Sequence, residues 1–175
     1  MPQSTEIRET VTADLPALER LYPRAFPEED LLPLLRDLLH APAGVLSLVA
    51  CVNIDIAGHI AFTMCGLDGG DAELALLGPL AVAPERQGQG IGSAIVRAGL
   101  ERLRRRGTHL VCVLGDPNYY GRFGFTPDSG IEPPYQLPPE WNEAWQSLAL
   151  AGDTIAFAGK LRVPSLWAKP ALWAP

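Results

Sequence analysis

Positive charge is scarce in this sequence: 14 lysines and arginines stand against 20 aspartates and glutamates, a formal net charge of −6 over 175 residues. Nonspecific affinity for a phosphate backbone depends on clustered cations, so nucleic acid is not expected as a principal partner. Cysteine is scarcer still. Cys51, Cys65 and Cys112 are odd in number, each sits inside an apolar run, and no two stand at metal-ligand spacing. They are expected to be buried and reduced, and no metal is expected. No stretch approaches the roughly 18 uncharged apolar residues needed to cross a bilayer, and the N-terminus lacks a basic segment followed by an apolar run. These absences point away from the membrane and toward the cytoplasm. Nothing suggests a repeat array or disorder. With 47% hydrophobic and 19% charged residues the chain can bury a sizeable core, and its length suits a single domain over residues 1–175.

What the sequence does have is concentrated from Leu80 to Ser93, LAVAPERQGQGIGS, where an apolar run breaks into glycines and then resumes at helical spacing. This predicts a strand, a phosphate-sized loop and a helix in immediate succession. Gly88, Gly90 and Gly92 leave three positions without a side chain, so backbone N–H groups can turn inward on a bulky anion. The helix adds its unsatisfied N-terminal donors and its dipole at the same place. Taken alone, a plain glycine-rich strand-to-helix turn explains the pattern equally well. A dinucleotide fingerprint does not, because the third glycine of G-x-G-x-x-G comes one residue early; a P-loop is excluded by the missing Gly-Lys-Ser/Thr. Of the arginines, Arg86 beside the loop is best placed to attract a phosphate, whereas Arg97, Glu101 and Arg105 read as i,i+4 neighbours on a solvated helix face.

Along the chain, Thr5 to Thr10 alternates as a short strand, and Thr12-x-Asp14 ahead of Leu15, Leu18 and Leu21 predicts a capped amphipathic helix. A second helix is expected over Glu28 to His40, with Glu28, Glu29 and Asp30 as an acidic first turn. Val45 to Asn53 and Ile56 to Cys65 read as a hairpin, with His59 inside its second strand as a core or sheet-surface residue rather than a catalyst. After the Asp68-Gly69-Gly70-Asp71 turn, Ala72 to Ala83 is a strand interrupted at Gly78-Pro79. Proline donates no hydrogen bond, so the ladder is expected to open there and to leave backbone groups at Leu80, Ala81 and Val82 for a ligand. Ile91 to Arg106 is an amphipathic helix whose Gly99 implies close packing on the sheet, and Gly107 ends it. His109 to Leu114 is a buried strand parallel to the previous one. Five prolines between Pro127 and Pro139 mark an ordered surface loop. Trp145 to Leu150 is an apolar run, a strand around Thr154 to Val163 closes the sheet, and Trp167 to Pro175 carries no signal.

Gln87-x-x-Gly90-x-Gly92 after Leu80-Ala81-Val82-Ala83-Pro84, followed one helix and one strand later by GDPNYYGRFGF from Gly115 to Phe125, resembles the GNAT superfamily of N-acetyltransferases, most closely its YhbS-like branch. The resemblance is strongest from Leu77 to Phe125. It implies a mixed α/β sheet, mostly antiparallel, with two central parallel strands splayed at a β-bulge and flanked by helices. It also implies acetyl-CoA as co-substrate. Arg86, Gln87, Gly88, Gln89, Gly90, Ile91, Gly92 and Ser93 would hold the pyrophosphate, and the backbone of Leu80, Ala81 and Val82 the pantetheine arm. Tyr120 occupies the acid position, with Tyr119 as the adjacent alternative. Glu73, at the start of the bulged strand, is a candidate for a water-linked base. The acceptor would be an amine on a small molecule, protein or peptide, with a homodimer left open. The opposing class is a noncatalytic acyl-CoA-binding or sensor module.

Overall fold

Alternating side chains make Thr5–Glu9 a strand, β1, which pairs antiparallel with β2 (Val45–Val52) from Thr5↔Val52 to Glu9↔Leu48. The computed structural model that establishes this describes residues 4–41, 44–150 and 157–175. Between these strands a 3-10 turn at Thr12–Asp14 leads into α1 (Leu15–Ala25). Its start is held by Asp14, whose carboxylate accepts the Val11 N–H at 2.8 Å and two bonds from the Arg8 guanidinium at 2.8 and 2.9 Å. The Arg8 hydrogen bonds hold that carboxyl below the ordinary carboxylate range.

The second helix, α2, spans Leu32–His40 and not Glu28–His40. The three acids precede it, and Asp30 closes onto the Leu32 N–H at 3.1 Å, so a side chain starts the helix where a first turn was expected. Leu18, Leu21 and Tyr22 of α1 and Leu35 of α2 pack in one cluster with Val49, Cys51, Ala81 and Ala83. This is the stripe that their helical spacing implies.

A tight turn, with Asn53 left-handed at φ 57°, links β2 to β3 (Asp55–Leu67). β4 (Leu74–Val82) follows. The helix α3 (Ile91–Arg105) ends in a left-handed Gly107 at φ 82°, where the Thr108 N–H reaches Leu103 and the Gly107 N–H reaches Arg104, both at 3.1 Å. β5 (Leu110–Leu114) then runs parallel to β4 from Leu74↔Leu110 to Leu77↔Val113, as a helical crossover requires. The remaining elements are α4 (Pro117–Tyr120), β6 (Thr126–Pro127), β7 (Ile131–Glu132), β8 (Trp145–Ala149) and β9 (Gly159–Arg162).

Among the described residues nine strands form a mixed sheet in the order β1-β2-β3-β4-β5-β8-β6, with β9 pairing β3 and β7. β5 and β8 are antiparallel, as are β6 and β8 and β3 and β9; β7 and β9 are parallel. The mixed sheet with one central parallel pair is the architecture that the resemblance implied. The strand expected around Thr154 to Val163 is seen at Gly159–Arg162, and residues 154–156 lie outside the described residues.

The chain forms two compact units, Met1–Phe62 with Gly78–Arg102, and Thr63–Leu77 with Leu103–Pro175. In the first, Gly99 of α3 faces the ring of the fully buried Phe62 so closely that a Cβ could not be added without displacing it. In the second, the tail from Trp167, which carries no signal in the sequence, packs into the core. Trp167 and Trp173 are buried, Trp173 stands edge-on to Trp145 at 5.7 Å, and the Trp167 indole donates to Thr63 Oγ1 at 2.9 Å. Cys51, Cys65 and Cys112 are free and buried, and burial pushes the Cys65 thiol up to about 12. No helix among the described residues is long and apolar enough to cross a membrane.

Candidate functional site

The parallel register of β4 ends at Leu77↔Val113, directly before Gly78-Pro79, where proline has no N–H to extend it. Past that break, in the first unit, Leu80 and Val82 are half-buried and Ala81 is buried. The chain then turns sharply. The Ala83 N–H donates to the Ala57 carbonyl at 2.8 Å, Pro84–Arg86 forms a 3-10 turn ending in the half-buried Arg86, and the Gln87 side-chain amide reaches back to the Val82 carbonyl at 3.3 Å. Gln89 bonds the Glu85 carbonyl at 3.3 Å, and the Glu85 carboxylate pairs with Arg24 of α1. The loop is therefore tied at both ends by its own glutamines.

Gly88 and Gly90 have φ of 77° and 83°, and a Cβ at either would meet nothing within 4 Å. They are required by the left-handed backbone, not by crowding. Left-handed positions let successive N–H groups converge on one point, and the space above them is open. The first helical bond of α3 runs from the Ala94 N–H to Gly90 at 3.0 Å, which leaves the N–H groups of Ile91, Gly92 and Ser93 at the positive end of a 15-residue helix. The buried Ile91 anchors this helix start: its Cγ2 lies where a Cβ on Gly58 of β3 would stand 3.3 Å away. The candidates from Leu80 to Ser93 thus share one unit and one continuous strand-turn-helix stretch.

Tyr120 and Glu73 belong to the second unit. Asp116 starts α4 by accepting the Asn118 N–H at 2.9 Å on its side chain and the Tyr120 N–H at 2.9 Å on its carbonyl. The Tyr120 ring packs on Gly115, where a Cβ would run into it, and stands edge-on to Tyr119 at 5.0 Å and to Phe125 at 5.8 Å. Burial first, and Tyr119 second, raise its phenol above the ordinary value, so the hydroxyl stays protonated at neutral pH. Tyr119 differs: the Arg122 guanidinium covers its ring at 4.4 Å. Gly124, left-handed at φ 101°, then turns Phe125 inward. Glu73 is exposed just ahead of β4, and its carbonyl accepts the His109 N–H at 3.1 Å.

His59 is a core residue, as expected. It is fully buried, with Nδ1 bonded to the Tyr22 hydroxyl at 2.6 Å and Nε2 to Ser47 Oγ at 2.7 Å, and burial pushes its imidazole down to about 3. Sequence reasoning passed over Gln146, a buried amide on β8 that donates to the Gly115 carbonyl at 3.1 Å. The proline-rich stretch lines a cleft of about 1130 Å³, whose walls include Glu132, Tyr135, Glu143 and Lys160. Among the described residues no cluster of three or more histidines, cysteines or acids could hold a metal ion.

A central parallel pair whose register stops at a Gly-Pro break, continuing into an anion-sized glycine turn and a helix, is the arrangement expected of an acyltransferase. The profile of the acetyltransferase (GNAT) family matches residues 15–125, and the chain belongs to that family. It is 38% identical over 162 residues to the uncharacterized N-acetyltransferase YjhQ of Escherichia coli K12, covering 87% of this chain and 88% of YjhQ. It is 34% identical over 153 residues to the uncharacterized N-acetyltransferase YhbS of the same strain, covering 85% of this chain and 89% of YhbS. The crystal structure of Escherichia coli YhbS in complex with CoA superposes with a TM-score of 0.87 at 28% identity, over 97% of this chain and 94% of that one. A GNAT family acetyltransferase from Brucella melitensis in complex with acetyl-CoA gives 0.76 at 29% identity, over 95% and 99%.

Proposed function

We propose that this protein acts as a single domain over residues 1–175 and transfers an acetyl group directly from acetyl-CoA to a primary amine in the cytoplasm. The observation that carries this reading is the turn at Gly88 and Gly90, left-handed, open above and followed at once by the N-terminus of α3. That arrangement suits a pyrophosphate, with Arg86 and Gln87 through Ser93 around it. Support also comes from the relatives, because the YhbS and Brucella structures hold CoA and acetyl-CoA in folds matching nearly this whole chain.

The backbone of Leu80, Ala81 and Val82, beyond the break at Pro79, is assigned to the amide-bearing arm of the donor, which it would pair like an added strand. The Val82 N–H polarises the thioester carbonyl. The amine nitrogen forms a bond to the carbonyl carbon, the carbon–sulfur bond breaks, and the sulfur leaves with a proton from the Tyr120 hydroxyl. An ordinary phenol of pKa near 10 can protonate a thiolate whose conjugate acid lies near 8.5, and burial of Tyr120 keeps that proton in place until the thiolate develops. The proton lost by the amine passes through water to Glu73.

Replacing Gly90 by Trp tests the placement of the donor. A non-glycine residue at that φ strains the turn by about 1–3 kcal/mol, and the indole fills the space above the N–H groups; CoA affinity is expected to fall by at least about 100-fold with the far-UV spectrum unchanged. Wild-type affinity by calorimetry refutes the placement. Tight binding of acetyl-CoA by the native protein without thiol release in any amine would make it a noncatalytic acyl-CoA-binding module instead.

A further inference from the structure

Gln146 is buried on β8, 1% exposed, in register with Val113 of β5 and Pro127 of β6. Its amide nitrogen donates to the Gly115 carbonyl at 3.1 Å and to the Ala144 carbonyl at 3.4 Å, and the Gly115 N–H bonds the same Ala144 carbonyl at 2.9 Å. Gly115 is the residue on which the Tyr120 ring rests, since a Cβ there would run into ring atoms Cε2 and Cδ2. The next residue, Asp116, accepts the Tyr120 N–H at 2.9 Å. The hydrogen bonds of Gln146 therefore end at the seat of the phenol. Its other face does nothing comparable: Oε1 is buried and has no hydrogen-bond partner among the described residues.

The unpaired Oε1 is a cost to the fold, offset by the two bonds that the amide nitrogen makes. An amide whose side-chain bonds among the described residues all run from its nitrogen, one of them to the carbonyl under Tyr120, fits a role exercised through Tyr120.

We propose that Gln146 is a positioning residue that fixes the Gly115 carbonyl and thereby holds the Tyr120 hydroxyl in its working orientation; this rests on the reading of Tyr120 as the acid. Gln146→Met keeps the length of the side chain while removing the donor and the unpaired oxygen. With acetyl-CoA as donor, turnover by thiol release, including the slow hydrolysis that needs no amine, is expected to fall about tenfold or more, the scale of a misplaced catalytic group. CoA affinity by calorimetry should stay within about twofold, while the thermal midpoint, set by the lost bond to Gly115 against the removed unpaired oxygen, should move by no more than a few degrees.

In a Tyr120→Phe background the same substitution should leave the residual rate unchanged, because no phenol remains to be positioned. Gln146→Leu, which also removes the amide donor, stands in if the Met variant does not fold. Wild-type turnover in both Gln146 variants, or an equal fold-loss with and without Tyr120, overturns the inference. A wild-type rate in Tyr120→Phe alone sinks the acid assignment instead. Gln146 is then judged by the ring-proton NMR signals of Tyr120 at neutral pH, assigned by difference from Tyr120→Phe. Those signals should shift or broaden in Gln146→Met as the ring loosens on Gly115, and unchanged signals count against the inference.

Discussion

Gly99→Ala sets two effects against each other. In an exposed helix interior the change stabilises by about 1 kcal/mol through propensity alone. At Gly99 of α3, however, the new methyl would run into Cε2 and Cζ of Phe62, and that ring is fully buried. Either α3 lifts from β3 or the ring leaves its rotamer, and overpacking of that kind costs about 1–3 kcal/mol. Two ring atoms are overlapped, which puts the cost at the upper end, about 3 kcal/mol, and the net effect at roughly 1–2 kcal/mol of destabilisation. For a chain of this length that lowers the thermal midpoint by roughly 2–8 °C. Urea unfolding followed by circular dichroism reads it directly, as a lower midpoint at unchanged slope. Phe62→Leu makes room beside the methyl, so the double variant should be less destabilised than the sum of the two, with a coupling of about 1 kcal/mol or more. A Gly99→Ala protein that gains stability, or strict additivity with Phe62→Leu, would refute the close packing of α3 on β3.

The other predictions concern charge and chemistry. His59 is held at about 3 in the folded protein against an ordinary value near 6.5, so the unfolded chain binds the extra proton between those values. Its contribution to stability is complete above about pH 6.5 and is lost as pH falls toward 3, with a slope of up to about 1.4 kcal/mol per unit. A His59→Gln protein whose stability falls as steeply over that range would contradict this. Tyr120→Phe should lower kcat by about 10²- to 10⁴-fold with CoA affinity nearly intact, and Tyr119→Phe much less; a large loss in Tyr119→Phe alone would move the acid role one residue back. With a net charge of −6, tRNA should not bind tightly near physiological ionic strength. Tight, salt-sensitive binding would show the reverse.

Much of the glycine loop was legible because its causes are local. A run of apolar residues into Pro84, glycines at 88 and 90, and helical spacing from Ile91 are each fixed by neighbours in the chain, and the structure puts a strand, a left-handed turn and a helix there. Gly107 as a helix stop was readable for the same reason. The start of α2 was not, because Glu28, Glu29 and Asp30 fit a first turn as well as the segment before one; in the structure Pro33 stands in the first turn and the Leu32 N–H bonds Asp30. Trp167 and Trp173 gave no signal, since short 3-10 turns have no period and their burial depends on Trp145 and Thr63, remote in sequence. Gln146 looked like one polar residue in an apolar strand, and only the register of β8 against β5 brings it to Gly115.

The measurement that bears most directly on the reading is thiol release from acetyl-CoA by the full-length protein across a panel of small-molecule and peptide primary amines, with the product mass determined for each. At least one amine is expected to gain a single acetyl group in step with the free thiol. That rate should collapse in Tyr120→Phe while calorimetric CoA binding persists. Thiol release at full rate in Tyr120→Phe, or tight acetyl-CoA binding by the native protein with no acetylated amine, would contradict it.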